Sequence, residues 1–170
     1  MDELVLVNTQ DCNIGHCDKL TAHKSPLLHR AFSIFLHWDR HMLLQRRNRE
    51  KYHSGGLLTN ACCSHPRMGE STEKAVSRRL KEELDLCVPV EELFSFVYFA
   101  KFSNRLYEYE YDHVFLGQCR ETPNFDPVEI EEMCWVEFGR LREDLVQRPK
   151  EFSIWFLSAA PKVLDILESQ

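Results

Sequence analysis

The chain has 170 residues, 44% apolar and 28% charged, which suits one globular domain with a core of its own. Its net charge of −6, from 27 acids against 21 bases, argues against nucleic acid or an anionic membrane as partner of the whole surface. No run of about 18 apolar residues is present to span a bilayer, Met1-Asp2-Glu3 lacks the basic start of a signal peptide, and an odd count of cysteines points to a reducing cytoplasm rather than a disulfide framework.

Residues 4–7 read as a short apolar strand, Asn13-Ile14-Gly15 as a turn, and Cys17-Asp18-Lys19-Leu20 as ordered again. His23 and His29 follow. On a straight strand they would stand roughly 20 Å apart, and on a helix they would face different ways. Ser25-Pro26 between them favours a turn that can bring both rings to one point. Alone, the pair carries little weight, because surface histidines are common. Residues 29–38 and 42–45 read as a hairpin turning at Asp39-Arg40. The basic cluster Arg46-Arg47-Asn48-Arg49-Glu50-Lys51 has too little aromatic interleaving for RNA, and suits either a solvated face or a grip on phosphate. Gly55-Gly56 is a flexible turn into the densest chemistry of the chain.

That stretch is Thr59-Asn60-Ala61-Cys62-Cys63-Ser64-His65-Pro66-Arg67-Met68-Gly69-Glu70. The Leu57-Leu58 lead-in suggests extended backbone, on which Cys63 and His65 project to the same side. Pro66 and Gly69 end the strand, and a helix is predicted over 71–84. A thiol able to carry a proton and an imidazole able to bind a metal thus sit at a strand end before a helix, where α/β proteins place ligands. The same residues suit a Cys-Cys-His corner of a structural zinc site, or plain buried thiols. In the helix, Val76, Leu80 and Leu84 form a core stripe with Ala75, Arg79 and Glu83 beside it. By itself, Arg79 with Glu83 reads as a surface pair worth a few tenths of a kcal/mol.

Residues 92–102 read as a largely buried strand. Its predicted partner alternates with period two: Tyr107, Tyr109, Tyr111, His113 and Phe115 take one face, Glu108, Glu110 and Asp112 the other. Carboxylates about 7 Å apart are tolerable on a wet face, the default for an isolated strand, and need a cation if enclosed. Residues 129–138 form another strand, and helices are predicted over 139–146 and 151–168. Mixed strands around helices argue for a compact α/β or α+β fold. His23, His29, His65, Glu108 and Glu110 would complete a five-ligand metal site, and three imidazoles suit Zn2+ or Mn2+ better than Mg2+. Glu83 would suit a Mg2+ shared with a substrate phosphate. Spacing leaves their convergence open.

Leu27-Leu28-His29-Arg30-Ala31-Phe32-Ser33, Thr59-Asn60-Ala61-Cys62-Cys63-Ser64-His65-Pro66 and the Glu108-x-Glu110 strand resemble type I isopentenyl-diphosphate isomerases of the Nudix superfamily, in order and spacing from Lys19 to Trp155. The resemblance implies a single domain over 1–170 with a Nudix-type α/β/α sandwich and mixed sheet. It also implies a metal-dependent isomerase that interconverts isopentenyl and dimethylallyl diphosphate in isoprenoid biosynthesis, as a cytoplasmic monomer or homodimer. By the same resemblance His23, His29, His65, Glu108 and Glu110 hold one ion (Mn2+, Zn2+ or Mg2+), and Glu83 with the Cys63 carbonyl holds Mg2+ against the diphosphate. Lys19, Arg47, Lys51 and Arg79 bind the diphosphate. Cys63 and Glu110 exchange protons on opposite faces of the alkene, Tyr98 stands beside Glu110, and Trp155 covers the cationic intermediate.

These residue types make chemical sense. Protonating an unactivated alkene gives a tertiary carbocation, so the pocket must be dry, and an indole face stabilises such a cation by about 2 kcal/mol or more. Two acid/base groups are needed across the substrate. The hydrolytic Nudix pattern is degenerate: after Gly69, Ala75 and Arg79 stand where glutamates belong, Arg78, Glu82 and Glu83 match, and Asp85 replaces glycine. That weighs against the alternative of a Nudix pyrophosphohydrolase; a binding domain with a structural metal is a third reading. Asp85 can adopt the left-handed conformation glycine supplies. Gly55 stands where relatives usually carry proline, which implies a more mobile loop.

Overall fold

The computed structural model describes residues 3–51, 53–102 and 105–169; Met1 and Asp2, which enter the sequence reading, lie outside them. In chain order, β1 (Glu3–Val7) and β2 (Asn13–Asp18) form a hairpin, and α1 (Lys19–Lys24) leads to the long strands β3 (His29–Trp38) and β4 (His41–Arg47). Two short strands, β5 (Leu58–Thr59) and β6 (Cys62–Ser64), precede α2 (Thr72–Leu84). The strands β7 (Val90–Lys101), β8 (Tyr107–Gln118) and β9 (Ile130–Glu137) come next, followed by α3 (Phe138–Gln147) and α4 (Ile154–Glu168).

The described strands make one mixed sheet centred on β3. β3 runs parallel to β8 from His29↔Glu110 to His37↔Gln118, and antiparallel to β1, β4 and β6. Its run Ile34-Phe35-Leu36 is fully buried, as expected of a strand covered on both faces. One face packs on α2, where Val76, Leu80 and Leu84 meet Phe32, Ile34, Leu36 and Leu43. The other packs on α4, where Phe156, Ala159 and Val163 meet Phe35, Met42 and Leu44. Burying each such large side chain contributes about 1.5–3 kcal/mol of transfer free energy. The product is the α/β/α sandwich with a mixed sheet.

Local chemistry fixes the ends of α2. Ser71 caps it by accepting from the Lys74 amide at 3.4 Å, and Asp85 closes it in the left-handed region at φ 48°, as the residue replacing glycine must.

Several local expectations are corrected. Asn13-Ile14-Gly15 is not a turn but the start of β2, with Gly15 opposite Leu6. The reversal lies earlier, where the Asn8 side chain accepts from the amides of Gln10 and Cys12 and Asp11 takes φ 59°. The stretch around Leu58 to His65 is two strands rather than one, broken at Asn60-Ala61, where Asn60 Nδ2 donates to the carbonyls of Ile34 and Cys62. β7 is not largely buried: among the described strands it pairs only with β8, and Val97 and Phe99 are 42% and 55% exposed. Helix α4 starts at Ile154 rather than residue 151, after a 3-10 turn at Pro149–Glu151.

Candidate active site

The three histidines arrive from three elements. Asp18 caps α1 by accepting from the Thr21 amide at 3.0 Å, which sets His23 near the end of that short helix; the Ser25-Pro26 bend then returns the chain to His29, the first residue of β3. The two rings lie 5.0 Å apart, and His65, just beyond β6, stands 5.1 Å from His29. Parallel register sets His29 opposite Glu110 on β8, and Glu108 shares that face. The ligand atoms of His23, His29, His65, Glu108 and Glu110 all lie within 4.8 Å of one another. The acidic face of β8 is thus not the solvated default: Glu108, Glu110 and Asp112 are buried.

Hydrogen bonding shows what this cluster fits. His23 Nδ1 meets the Lys19 carbonyl at 2.6 Å and His29 Nδ1 meets the Leu27 carbonyl at 2.8 Å. A carbonyl only accepts, so Nδ1 carries the proton and Nε2 of the neutral ring presents a lone pair. Those lone pairs face carboxylate oxygens, His23 to Glu108 at 3.3 Å and His29 to Glu110 at 3.4 Å. Acceptors facing acceptors repel unless a proton or a metal cation lies among them, and although burial opposes it, Glu108 draws the His23 imidazole above its ordinary value. Glu108 Oε2 is moreover buried without a hydrogen-bond partner. Burial, and then the neighbouring Glu110, pushes the Glu108 carboxyl above the usual carboxylate range. Three imidazole nitrogens and two carboxylates supply the coordination and negative charge a divalent metal requires.

Beside the cluster lies a cavity open to solvent, with about 590 Å³ of empty space. Cys63, in the middle of β6, lines it, while Cys62 turns to the opposite face of the sheet and packs under α2. Strand alternation therefore excludes the Cys-Cys-His zinc corner. Burial raises the Cys63 thiol to about 12, with Glu83, Glu110 and Asp112 adding to the shift and Arg47, 3.9 Å from its sulfur, opposing it. Tyr98 stands opposite Glu110 in the β7–β8 register, and its hydroxyl donates to Glu110 Oε2 at 2.5 Å. Trp155, near the start of α4, is 4% exposed, with its ring 5.1 Å from the Arg47 guanidinium carbon.

The cations also converge. Lys19, Arg47, Lys51 and Arg79 line the same cavity. The basic cluster of the sequence divides: Arg46 pairs with Glu132 and Arg49 with Glu131 outside, while Arg47 and Lys51 turn inward. Arg79 and Glu83 are not a surface pair, since Glu83 is 4% exposed and its carboxyl is raised by burial despite Arg79.

Two titratable residues of the cavity carry no role in the sequence reading. Glu129 pairs with Lys51 and lies 3.9 Å from Arg79. His53 approaches Glu108 Oε1 at 2.6 Å and stacks on Phe102 with ring centres 4.8 Å apart. Burial, then the Arg47 charge, lowers the His53 imidazole to about 3. Its one signal in sequence is nearness to Lys51. A Cβ on Gly55 would stand 2.6 Å from the Arg49 carbonyl oxygen, so this tight loop needs glycine there.

Comparison with known proteins agrees with this architecture. The NUDIX domain family matches residues 27–156. The chain is 42% identical over 165 residues to an isopentenyl-diphosphate Delta-isomerase of Aromatoleum aromaticum, covering 96% of this chain and 87% of that one. It is 45% identical over 158 residues to one from Photorhabdus laumondii, covering 92% and 89%. A crystal structure from Deinococcus radiodurans superposes with a TM-score of 0.72 at 22% identity, covering 86% of this chain and 90% of that one, a likeness of fold. The chain therefore belongs to the isopentenyl-diphosphate Delta-isomerases of the Nudix superfamily.

Proposed function

We propose that the chain converts isopentenyl diphosphate to dimethylallyl diphosphate by protonation and deprotonation through a tertiary carbocation, a step of isoprenoid biosynthesis. The observation that carries this reading is the lining of one cavity: a protonated thiol, a hydrogen-bonded carboxylate and an indole beside four basic residues. Lys19, Arg47, Lys51 and Arg79 bind the diphosphate, and Lys51 and Arg79 exchange part of their pairing with Glu129 for phosphate oxygens.

The Cys63 thiol, raised to about 12, stays protonated at neutral pH and gives its proton to the terminal methylene carbon of the alkene. Positive charge then sits on the third carbon, under the face of Trp155. Glu110 removes a proton from the second carbon, the double bond closes there, and both groups re-equilibrate with solvent protons. Burial alone would raise Glu110, yet contacts with the His29 and His65 imidazoles hold it below the usual carboxylate range, and the Tyr98 hydroxyl also donates to it.

A divalent ion held by His23, His29, His65, Glu108 and Glu110, with Mn2+ or Zn2+ the better match to three imidazoles, supplies fixed positive charge that sets the protonation state of Glu110. A Mg2+ held by Glu83 would offset diphosphate charge. Counting back eight positions from Arg78 puts Glu70, not Ala75, in the place of the pattern's first glutamate; hydrolysis is disfavoured instead by Arg79 in the place of the second and by Glu82, which is engaged by both Arg78 and Arg79. The seven cysteines are free, which suits the cytoplasm, and no described helix is long and apolar enough to cross a membrane.

Cys63→Ala and Glu110→Gln test the reading. Each is expected to fold and bind inorganic pyrophosphate with Mg2+ yet lose alkene isomerisation. Full turnover by Cys63→Ala would remove the proposed acid.

A further inference from the structure

The end of β4 and the loop that joins it to β5 hold two cavity-lining cations, Arg47 and Lys51, and two positions after Lys51 the loop carries His53. His53 does not belong to the five-residue metal cluster, yet it reaches that cluster. Its Nε2 lies 2.6 Å from Glu108 Oε1, and its Nδ1 lies 3.2 Å from the Ser54 hydroxyl. The consistent proton arrangement has the Ser54 hydroxyl donating to Nδ1 and the Nε2–H donating to Glu108. One oxygen of Glu108 is then claimed by His53, while Oε2 is buried without a hydrogen-bond partner. The carboxylate is turned so that one oxygen remains for an ion.

The ring is also clamped from the sides. It stacks on Phe102, just beyond β7, 4.8 Å away and tilted by 15°, and meets the edge of Trp155 at 6.0 Å. The loop thus fastens to the sheet through this side chain, and a contact to a metal ligand sits at the fastening point.

We propose that His53 is a positioning residue that latches the diphosphate-binding loop onto the metal centre by orienting Glu108. Filling the metal site fixes Glu108, a fixed Glu108 holds His53, and His53 holds the loop that carries Lys51. Coupling of this kind is reciprocal, so an ordered loop also tightens metal binding. The inference rests on the reading of the five residues as a metal centre, and the experiment separates the two.

Metal-free protein is titrated with Mn2+, the free ion being followed by electron paramagnetic resonance, for the wild type, His53→Phe and His53→Gln. Phenylalanine keeps the stacking on Phe102 and removes the donor; glutamine restores a donor. The latch predicts Mn2+ affinity about tenfold weaker in His53→Phe, the loss common for outer-shell partners, and largely recovered in His53→Gln. Amide hydrogen exchange of residues 48–56 in the wild type, which needs no variant to fold, is expected to slow when Mn2+ is added. Unchanged affinity in His53→Phe, or loop exchange indifferent to Mn2+ in a wild type that binds it, would overturn the latch alone. A wild type that binds no Mn2+ would overturn the metal centre and the latch together.

Discussion

Tyr98→Phe is the sharpest perturbation of the proposed acid–base pair. Antiparallel register fixes Tyr98 opposite Glu110, and the only atom removed is a hydroxyl oxygen that donates at 2.5 Å to Glu110 Oε2. Both side chains are nearly buried, at 8% and 7% exposure, so water does not replace the donor without rearrangement. A hydrogen bond to a charged partner contributes about 1.5–3 kcal/mol, and at about 1.4 kcal/mol per factor of ten this becomes roughly 10- to 150-fold in turnover. The loss belongs in kcat, because the hydroxyl is bonded to the proposed acid–base group rather than to the cations proposed to hold the diphosphate; KM is expected to stay within about threefold. Steady-state conversion of isopentenyl diphosphate, followed by proton NMR, separates the two constants, while thermal unfolding checks that the fold survives. In a Glu110→Gln background the same change should cost little further activity, since residues acting as a unit are non-additive. A Tyr98→Phe enzyme with wild-type kcat, or one whose loss lies wholly in KM, would refute the role given to this hydrogen bond.

Other expectations bear on stability and assembly of the site. Glu70 ties the loop after β6 to α2 by accepting from Arg78 Nε at 2.8 Å, Arg78 Nη2 at 2.9 Å and the Arg67 amide at 3.0 Å, and the Arg78 contact holds its carboxyl down to about 2. Because the folded value lies below the unfolded one, this stabilisation is present above pH of about 4.5 and is lost as pH falls towards 2. Partial solvent access reduces it to about 1–2 kcal/mol, so Glu70→Gln should lower stability at pH 7 and flatten the acid side of the stability curve in urea titrations. Gly55→Ala forces the Arg49 carbonyl to shift; about 1–3 kcal/mol of strain is expected, and steady-state kinetics should show KM rising more than kcat falls as Lys51 moves. Mn2+ at about 100 times its dissociation constant should stabilise the fold by about 2.7 kcal/mol, or roughly 5–10 °C in Tm, reversed by a chelator. A Tm indifferent to both would contradict the metal centre.

Much of this architecture was legible in the sequence because it is written in local periods. Alternation along β8 puts Glu108 and Glu110 on one face, the Val76, Leu80 and Leu84 stripe identifies the inner face of α2, and the Thr59-to-Pro66 string carries the resemblance to the isomerase family. What escaped depends on distant partners. Asn13 and Gly15 favour turns, yet pairing with β1 draws them into a strand. Helix α1 is a six-residue segment, too short to display a helical period. The break between β5 and β6 follows from a side-chain bond from Asn60 to Ile34, and the exposure of β7 follows from its place at the sheet edge. His53 acquires meaning only through Glu108, on a strand far along the chain.

The central claim, that one group adds a proton and another removes one across a dry slot, is most directly tested by running the wild-type reaction in deuterium oxide and following the products by proton NMR. The account predicts deuterium from solvent in a methyl group of dimethylallyl diphosphate, appearing as fast as the product forms, with the diphosphate intact. Product formed without label, or phosphate released with the alkene unmoved, would contradict it.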